Sequence, residues 1–411
     1  MIKVLVNSYA CSPNMGSEPG LGWNWVMHLA RHCELFIITE GEFRDKIEQT
    51  VPLLEQKRNM HFYYLPLEDR IRKMCWNQGD WRFYYYYKKW QKRAANLVRD
   101  ICKQEKIDIL HQLNMIGFRE PGYLWQVSQE TGIPFVWGPV DAKESFPLAY
   151  TQGESWKTRA FYWTKNLITK WQLKHSYRVH EAVYTASLVL AASSNSVKSF
   201  RKYYSLESIL MNETGTSLSN DDVGISHNQG TTFDILWVGK MDFRKQLGLA
   251  IRSVALTNQH QIRLHIVGDG NAVPYKHEAE KLGIAEQCYF HGSISHQDVQ
   301  QLMQESDLLF FTSVAEGTPH VVLEAIRNHL PILCFDTCGQ GDCVTDSIGI
   351  KIPLTNPTQS VKDFSEQILF YFHHKDVLAQ LSVNCQKRAE ALSWEHKAKQ
   401  MVALYYNVLS K

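Results

Sequence analysis

Along the chain, short apolar runs alternate with longer stretches in which apolar residues return every third or fourth position. The runs fall at 2–8, 35–39, 62–65, 107–110, 135–137 and 188–192, and again at 233–239, 262–267, 289–294, 307–312 and 331–335. Such runs read as strands and the stretches between them as amphipathic helices. Regular alternation of the two predicts parallel sheets, so the expected fold class is α/β. Between the two series, residues 214–232 are rich in Ser, Asn, Asp and Gly, the composition of a linker. A length of 411 residues likewise suggests two domains, predicted here at 1–215 and 216–394. Helical patterns follow at 362–372 and 377–392, and a last one runs from Glu395 to the end of the chain, after Ser393 and Trp394.

The densest stretch is 313–336, SVAEGTPHVVLEAIRNHLPILCFD, which reads as loop, helix and strand. Glu316 precedes the helix start, where unpaired backbone N–H groups suit a phosphate or sugar oxygen. Glu324 sits one turn inside, flanked by Val321, Val322, Leu323, Ala325 and Ile326. An acid buried there needs a hydroxyl or cation partner. By spacing alone the two acids are equally an incidental pair. After the strand at 233–239, Lys240 and Lys245 flank a turn; they are ordinary surface lysines or two cations able to hold one diphosphate as it leaves. The loop Cys11–Gly22 carries Gly16, Gly20 and Gly22, which make a tight turn or let backbone approach a phosphate. His111 follows a strand at the edge where doubly wound sheets collect ligands, and is structural or ligand-binding. Asp269, between Gly268 and Gly270, reads as a turn residue.

The segment EGTPHVVLEA, with its E-x7-E spacing, resembles the retaining glycosyltransferases of the GT4 type, the group 1 family. That resemblance implies a GT-B fold: two Rossmann-like parallel-sheet domains facing a central cleft, the second gripping a nucleotide-sugar donor. It implies that Glu316 meets the sugar hydroxyls, with Gly317, Thr318, His320 and Val321 completing that pocket, and that Glu324 takes the ribose hydroxyls. GKMDFRK is similar to the family's basic loop, with Lys240 at an arginine position and Lys245 at a lysine position. GSEPGLGW is similar to an N-terminal loop in which Gly16 would face the donor diphosphate. Ile294 falls where main chain borders the nucleobase. His111 matches a histidine that approaches the donor sugar, although Leu113 stands where a second histidine is often found. VWGPVDA carries Asp141 and Ala142 in place of glycines, on the acceptor side. The Ser-Trp before the last helix implies that residues 395–411 return to the first domain. The implied reaction retains the anomeric configuration, with the departing phosphate oxygen taking the acceptor proton. No second carboxylate is placed as a nucleophile, and no cofactor or metal is expected.

Charge adds a possible acceptor. The net charge of +2 hides an asymmetry: residues 1–215 carry 28 Lys and Arg against 21 Asp and Glu, and the remainder carries 16 against 21. Two segments concentrate the basic residues among aromatics, 70–93 and 156–178. Either could lie on an anionic membrane, bind nucleic acid, or form a helix with buried aromatics and solvated lysines. No nucleic-acid motif accompanies them, so nucleic acid is not an expected partner. The membrane reading points to a lipid-linked glycan acceptor for capsule, exopolysaccharide or lipopolysaccharide. The nine cysteines include no C-x-x-C pair, and Cys334, Cys338 and Cys343 match no zinc spacing, so reduced thiols are expected. No run is long enough to span a bilayer and residues 2–9 do not read as a signal peptide, which predicts a cytoplasmic protein, peripheral on the membrane at most. Two other functions fit the same features: a GT-B sugar-nucleotide 2-epimerase, and a non-catalytic sugar-nucleotide-binding subunit.

Overall fold

The computed structural model describes residues 1–76, 80–217 and 231–410; most of the linker expected at 214–232 lies outside them. One sheet contains β1 (Lys3–Ser8), β2 (Glu34–Thr39), β3 (Met60–Tyr64), β4 (Ile109–Asn114), β5 (Phe135–Val140), β6 (Leu188–Ala191) and β7 (Ile209–Leu210). The other contains β8 (Phe233–Val238), β9 (Ile262–Val267), β10 (Cys288–Gly292), β11 (Leu308–Phe311), β12 (Ile332–Phe335) and β13 (Gly349–Ile352). Their strand orders are β3-β2-β1-β4-β5-β6-β7 and β10-β9-β8-β11-β12-β13, and every pairing is parallel. The central strands are buried on both faces, as helix-covered parallel strands must be. Strand order reverses between β1 and β4 in one sheet and between β8 and β11 in the other.

Two units emerge: residues 1–144, 169–214 and 394–411 form the first, and 145–168 with 215–393 the second. Residues 145–168 were expected in the first domain. Their side chains explain the difference: Phe146 and Tyr162 pack on Phe243, and the Tyr150 hydroxyl lies 2.7 Å from Ser360 Oγ. Gln246 also donates to the Tyr150 carbonyl at 3.0 Å.

In the first unit, one sheet face packs on Phe83, Tyr87 and Trp90 of the helix Trp81–Gln104. The other packs on Trp25, Val26 and Leu29 of the helix Ser17–Leu29, and on Trp394, Met401 and Tyr405 of the helix Trp394–Leu409. Trp25 and Trp394 meet edge to face at 5.6 Å. Lys397, buried in the last helix, donates to the Asn212 carbonyl at 2.8 Å, which satisfies its ammonium where water cannot.

β4 departs from expectation. The polar run after Leu110 suggested a strand end, yet the strand continues through His111, Gln112 and Asn114, all buried. Each has a partner inside the fold: Gln112 Nε2 donates to the Asn114 carbonyl and Asn114 Nδ2 to the Ala10 carbonyl. Partnered polar groups sit in a core strand at little cost, which apolar patterning alone does not anticipate, although Asn114 Oδ1 is buried without a partner.

Candidate functional site

In the second unit the loops after β8 and β11 meet at the strand-order reversal, the position where doubly wound sheets bind ligands. They are laced together. Thr312 Oγ1 donates to the Lys245 carbonyl at 2.7 Å, and Val314 N donates to the Arg244 carbonyl at 3.0 Å. Trp237 Nε1 supports Thr312 from below at 3.0 Å. Gly339 props the next part of the loop, with its amide donating to the Gly317 carbonyl at 3.0 Å. A Cβ at Gly339 would stand 2.6 Å from Thr318 Cα, so the packing admits glycine alone.

This scaffold brings together two predicted residues whose roles were read separately. Lys245 Nζ and Glu316 Oε1 form a close ion pair, both side chains about four-fifths shielded from solvent. Ser313 Oγ donates to the same carboxylate oxygen at 2.6 Å, and the Lys245 ammonium lies 5.4 Å from the centre of the Phe311 ring. A lysine fixed by a carboxylate and an aromatic face is a preorganised cation, not a mobile surface charge. Glu316 in turn presents acceptor oxygens whose position is set by Lys245 and Ser313.

Gly317 and Thr318 complete the loop, and the helix His320–Arg327 begins behind Pro319 without a side-chain cap. Val322 N returns to the Pro319 carbonyl at 3.1 Å, while the amides of His320 and Val321 have no partner within the helix, an arrangement suited to anionic oxygens. Glu324 differs from expectation. It is partly exposed, because Val322, Leu323, Ala325 and Ile326 turn to the core and position 324 shares its flank with exposed His320. The expected partner exists in a loose form: His296 Nε2 lies 3.4 Å from Glu324 Oε1. His296 was not foreseen; the Ser295–Asp298 capping box that starts its helix was the available signal.

Ile294 lies just past β10, partly buried against the apolar cluster that includes Leu236 and Leu323. Lys240 is exposed, with no ion pair among the described residues. Arg244 is committed to Asp242, with Nη2 to Oδ2 at 2.7 Å, and does not stand in for the fork that Lys240 lacks. The described residues include no group of three His, Cys, Asp or Glu placed to hold a metal ion.

In the first unit, the glycines of the β1 loop divide. A Cβ on Gly20 would meet the Met15 carbonyl at 1.9 Å and one on Gly22 the Ala10 carbonyl at 2.2 Å, so both serve close packing of the helix on its own loop. Gly16 is exposed with open space beside it. The role expected for His111 is corrected. The ring is fully buried in mid-strand; Nε2 donates to the Gly138 carbonyl at 2.6 Å, and Nδ1 accepts from the Tyr405 hydroxyl at 2.6 Å. Burial, opposed by the Gly138 carbonyl, pulls its pKa down to about 4, so the ring is neutral and fully bonded within the fold. It has no nitrogen left for a sugar. Glu18, unremarked in the sequence, is a perturbed acid of this unit: burial first, then the charge of Glu213, lifts its pKa to about 7 against the Ile116 amide, which lowers it.

Comparison with known proteins bears on these features. Residues 221–390 match the family model for "Glycosyl transferases group 1". The lipopolysaccharide glucosyltransferase WaaG of Escherichia coli K12 is 31% identical over 116 residues, 28% of this chain and 30% of that protein. The four curated relatives are matched over only 30%, 44%, 30% and 45% of their own lengths. Among solved structures, the apo lipopolysaccharide outer core galactosyltransferase WaaB superposes with a TM-score of 0.65 at 16% identity, covering 99% of both chains. HepE of Anabaena in complex with UDP gives 0.62 at 15% identity, over 99% of this chain and 100% of that one. The resemblance to the group 1 family is thus shown over residues 221–390, and the two Rossmann-like sheets have the GT-B architecture.

Proposed function

From that family match and the geometry at β8 and β11, we propose that this protein is a glycosyltransferase moving a sugar from a nucleotide sugar to a glycan acceptor with retention of configuration. The observation that carries the reading is the Lys245–Glu316 pair beneath an uncapped helix start at the strand-order reversal. Lys245 and exposed Lys240 hold the donor diphosphate and stabilise the charge that grows on it as the glycosidic bond breaks. Glu316 accepts hydrogen bonds from sugar hydroxyls, and the His320 and Val321 amides face the same group. Glu324, held near His296, binds the ribose hydroxyls. The leaving phosphate oxygen receives the acceptor proton, which asks for no protein base and no metal. The UDP in the HepE structure supports a nucleotide donor.

The acceptor is proposed to be lipid-linked, in cell-surface polysaccharide synthesis. Its support is the helix Trp156–His175, which turns Trp163, Leu167 and Trp171 to solvent among basic residues. This side suits an anionic membrane surface. The epimerase and the non-catalytic subunit lack a comparable supporting observation.

Thermal stabilisation by UDP-, GDP-, ADP- and dTDP-sugars tests the donor site. A ligand at about 100 Kd adds about 2.7 kcal/mol to native-state stability. One nucleotide class should stabilise the wild type, and Glu324→Ala should lose about 1–3 kcal/mol of that binding. Lys245→Met should cut turnover by on the order of a hundredfold with a smaller change in KM. Equal stabilisation of wild type and Glu324→Ala would overturn the ribose assignment, and a product of inverted anomeric configuration would overturn retention.

A further inference from the structure

The first unit has a cavity of its own at the C-terminal edge of its sheet, about 350 Å³ in volume. It lies where the β1 loop, the segment after β2 and Trp76 converge, beside the β1–β4 reversal. The volume falls within the roughly 300–1,000 Å³ of small-ligand pockets. Its walls are mostly apolar: Tyr9, Met15, Phe43, Trp76 and Met115. Trp76, 63% exposed, offers an aromatic face at the lip.

The charged groups that line the cavity are all acidic, and Ser17 and Thr39 are its neutral polar side chains. Glu40 is fully engaged, accepting from the Leu67 amide at 2.6 Å and from Arg72 Nη2 at 2.9 Å. Glu42 is partly exposed at the wall. Glu18 is different. Its Oε1 accepts weakly from the Ile116 amide at 3.4 Å, and its Oε2 is buried without any hydrogen-bond partner. A buried carboxyl oxygen without a partner carries a desolvation cost that a bound hydroxyl would remove. No Lys, Arg or His is among the described residues that line the cavity, and Arg72 behind it is held by Glu40. An anionic ligand would therefore face Glu18 and Glu42 without a counter-charge. A ring with hydroxyl groups on its edge and C–H groups on its face would satisfy Glu18 and lie against Trp76.

We propose that this cavity is a subsite for one sugar ring without negative charge, oriented by Glu18 and stacked on Trp76. The inference rests on the glycosyl-transfer reading in taking that ring as the end of the acceptor, and it makes Glu18 a specificity-determining residue. With a pKa near neutrality, the carboxyl can donate to a sugar oxygen as well as accept from a hydroxyl.

Saturation-transfer NMR on the full chain tests it, with methyl gluco-, galacto- and mannopyranosides, the matching methyl uronides and inorganic phosphate as probes. At least one neutral glycoside should bind about tenfold or more tightly than its uronide, and phosphate should not compete. Glu18→Gln, which keeps shape and removes charge, should narrow that ratio to within about threefold, and Trp76→Ala should weaken the neutral glycoside about fivefold or more. The proposal is overturned if a uronide or phosphate binds as well as the neutral ring, if no neutral glycoside binds, if Glu18→Gln leaves the ratio unchanged, or if Trp76→Ala leaves the affinity for the neutral glycoside unchanged. Nucleotide-induced stabilisation, measured on the same samples, separates the two readings. Its persistence without glycoside binding removes the subsite alone, whereas its absence removes the donor site.

Discussion

The helices Trp81–Gln104 and Trp156–His175 have nearly the same ingredients, clustered aromatics among lysines and arginines, and opposite arrangements. The first buries Phe83, Tyr87, Trp90, Ala94, Val98 and Ile101, residues that return every three or four positions and fall on one stripe. Tyr9 meets Trp90 edge to face at 4.8 Å, and Trp90 Nε1 donates to the Leu65 carbonyl at 2.7 Å. The second buries Asn166, Thr169 and Leu173 instead. Asn166 bonds both the amide and the carbonyl of Phe146, and Arg119 reaches Thr169 and Gln172 at 2.7 Å each. Trp163 and Trp171 point away, 56% and 63% exposed. Composition gave the two segments one description; the phase of the apolar residues relative to the polar anchors separates them. A core helix and an apolar outer surface can be built from the same side chains.

The contrast can be broken most directly at Trp90. Trp90→Ala should cost about 3–5 kcal/mol in a denaturant titration, because it opens a cavity and leaves the Leu65 carbonyl without its donor. Replacing Trp163 and Trp171 together with Ser should change stability by no more than about 0.5 kcal/mol each, the range for surface sites, while lowering partition onto anionic vesicles about tenfold or more. A stability loss comparable with that of Trp90→Ala would show the second helix to be core as well, and unchanged partition would end the membrane assignment. The smallest effect separates charge from apolar contact. Lys157→Gln or Lys174→Gln should each reduce partition about fivefold at low salt. That difference should shrink as the Debye length falls from about 30 Å at 0.01 M to about 8 Å at 0.15 M salt; a salt-independent loss would point to packing instead.

The same distinction marks what could be read from the sequence. Among the described residues the apolar runs located eleven of the thirteen strands, because a parallel sheet buries most of its strands on both faces. β7 has two residues, both exposed, and β13 places Lys351 within a short edge strand, so neither offers a run to find. The loop from Glu316 to Val321 was legible because one helix start carries it. The Lys245–Glu316 pair was not, since it depends on β8 and β11 being neighbours in the sheet. His111 misled for the opposite reason: a histidine in a polar run resembles a ligand until Tyr405, from the far end of the chain, is seen to occupy it. Residues 145–168 joined the second unit through Phe146, Tyr150 and Tyr162, and aromatics divided between a loop and the start of a helix carry no single periodic signal.

The helix Trp394–Leu409 also has a consequence in time. It covers one face of the first sheet, yet the ribosome makes it after every other described segment of both units except Ser410. Until it arrives, Trp25, Val26 and Leu29 have no cover from it and His111 has no hydroxyl on Nδ1. The second unit contains its whole sheet and core before that point. The unit whose strands come first along the chain is therefore the one whose sheet is covered last, and its apolar face stays open while the second unit is being made.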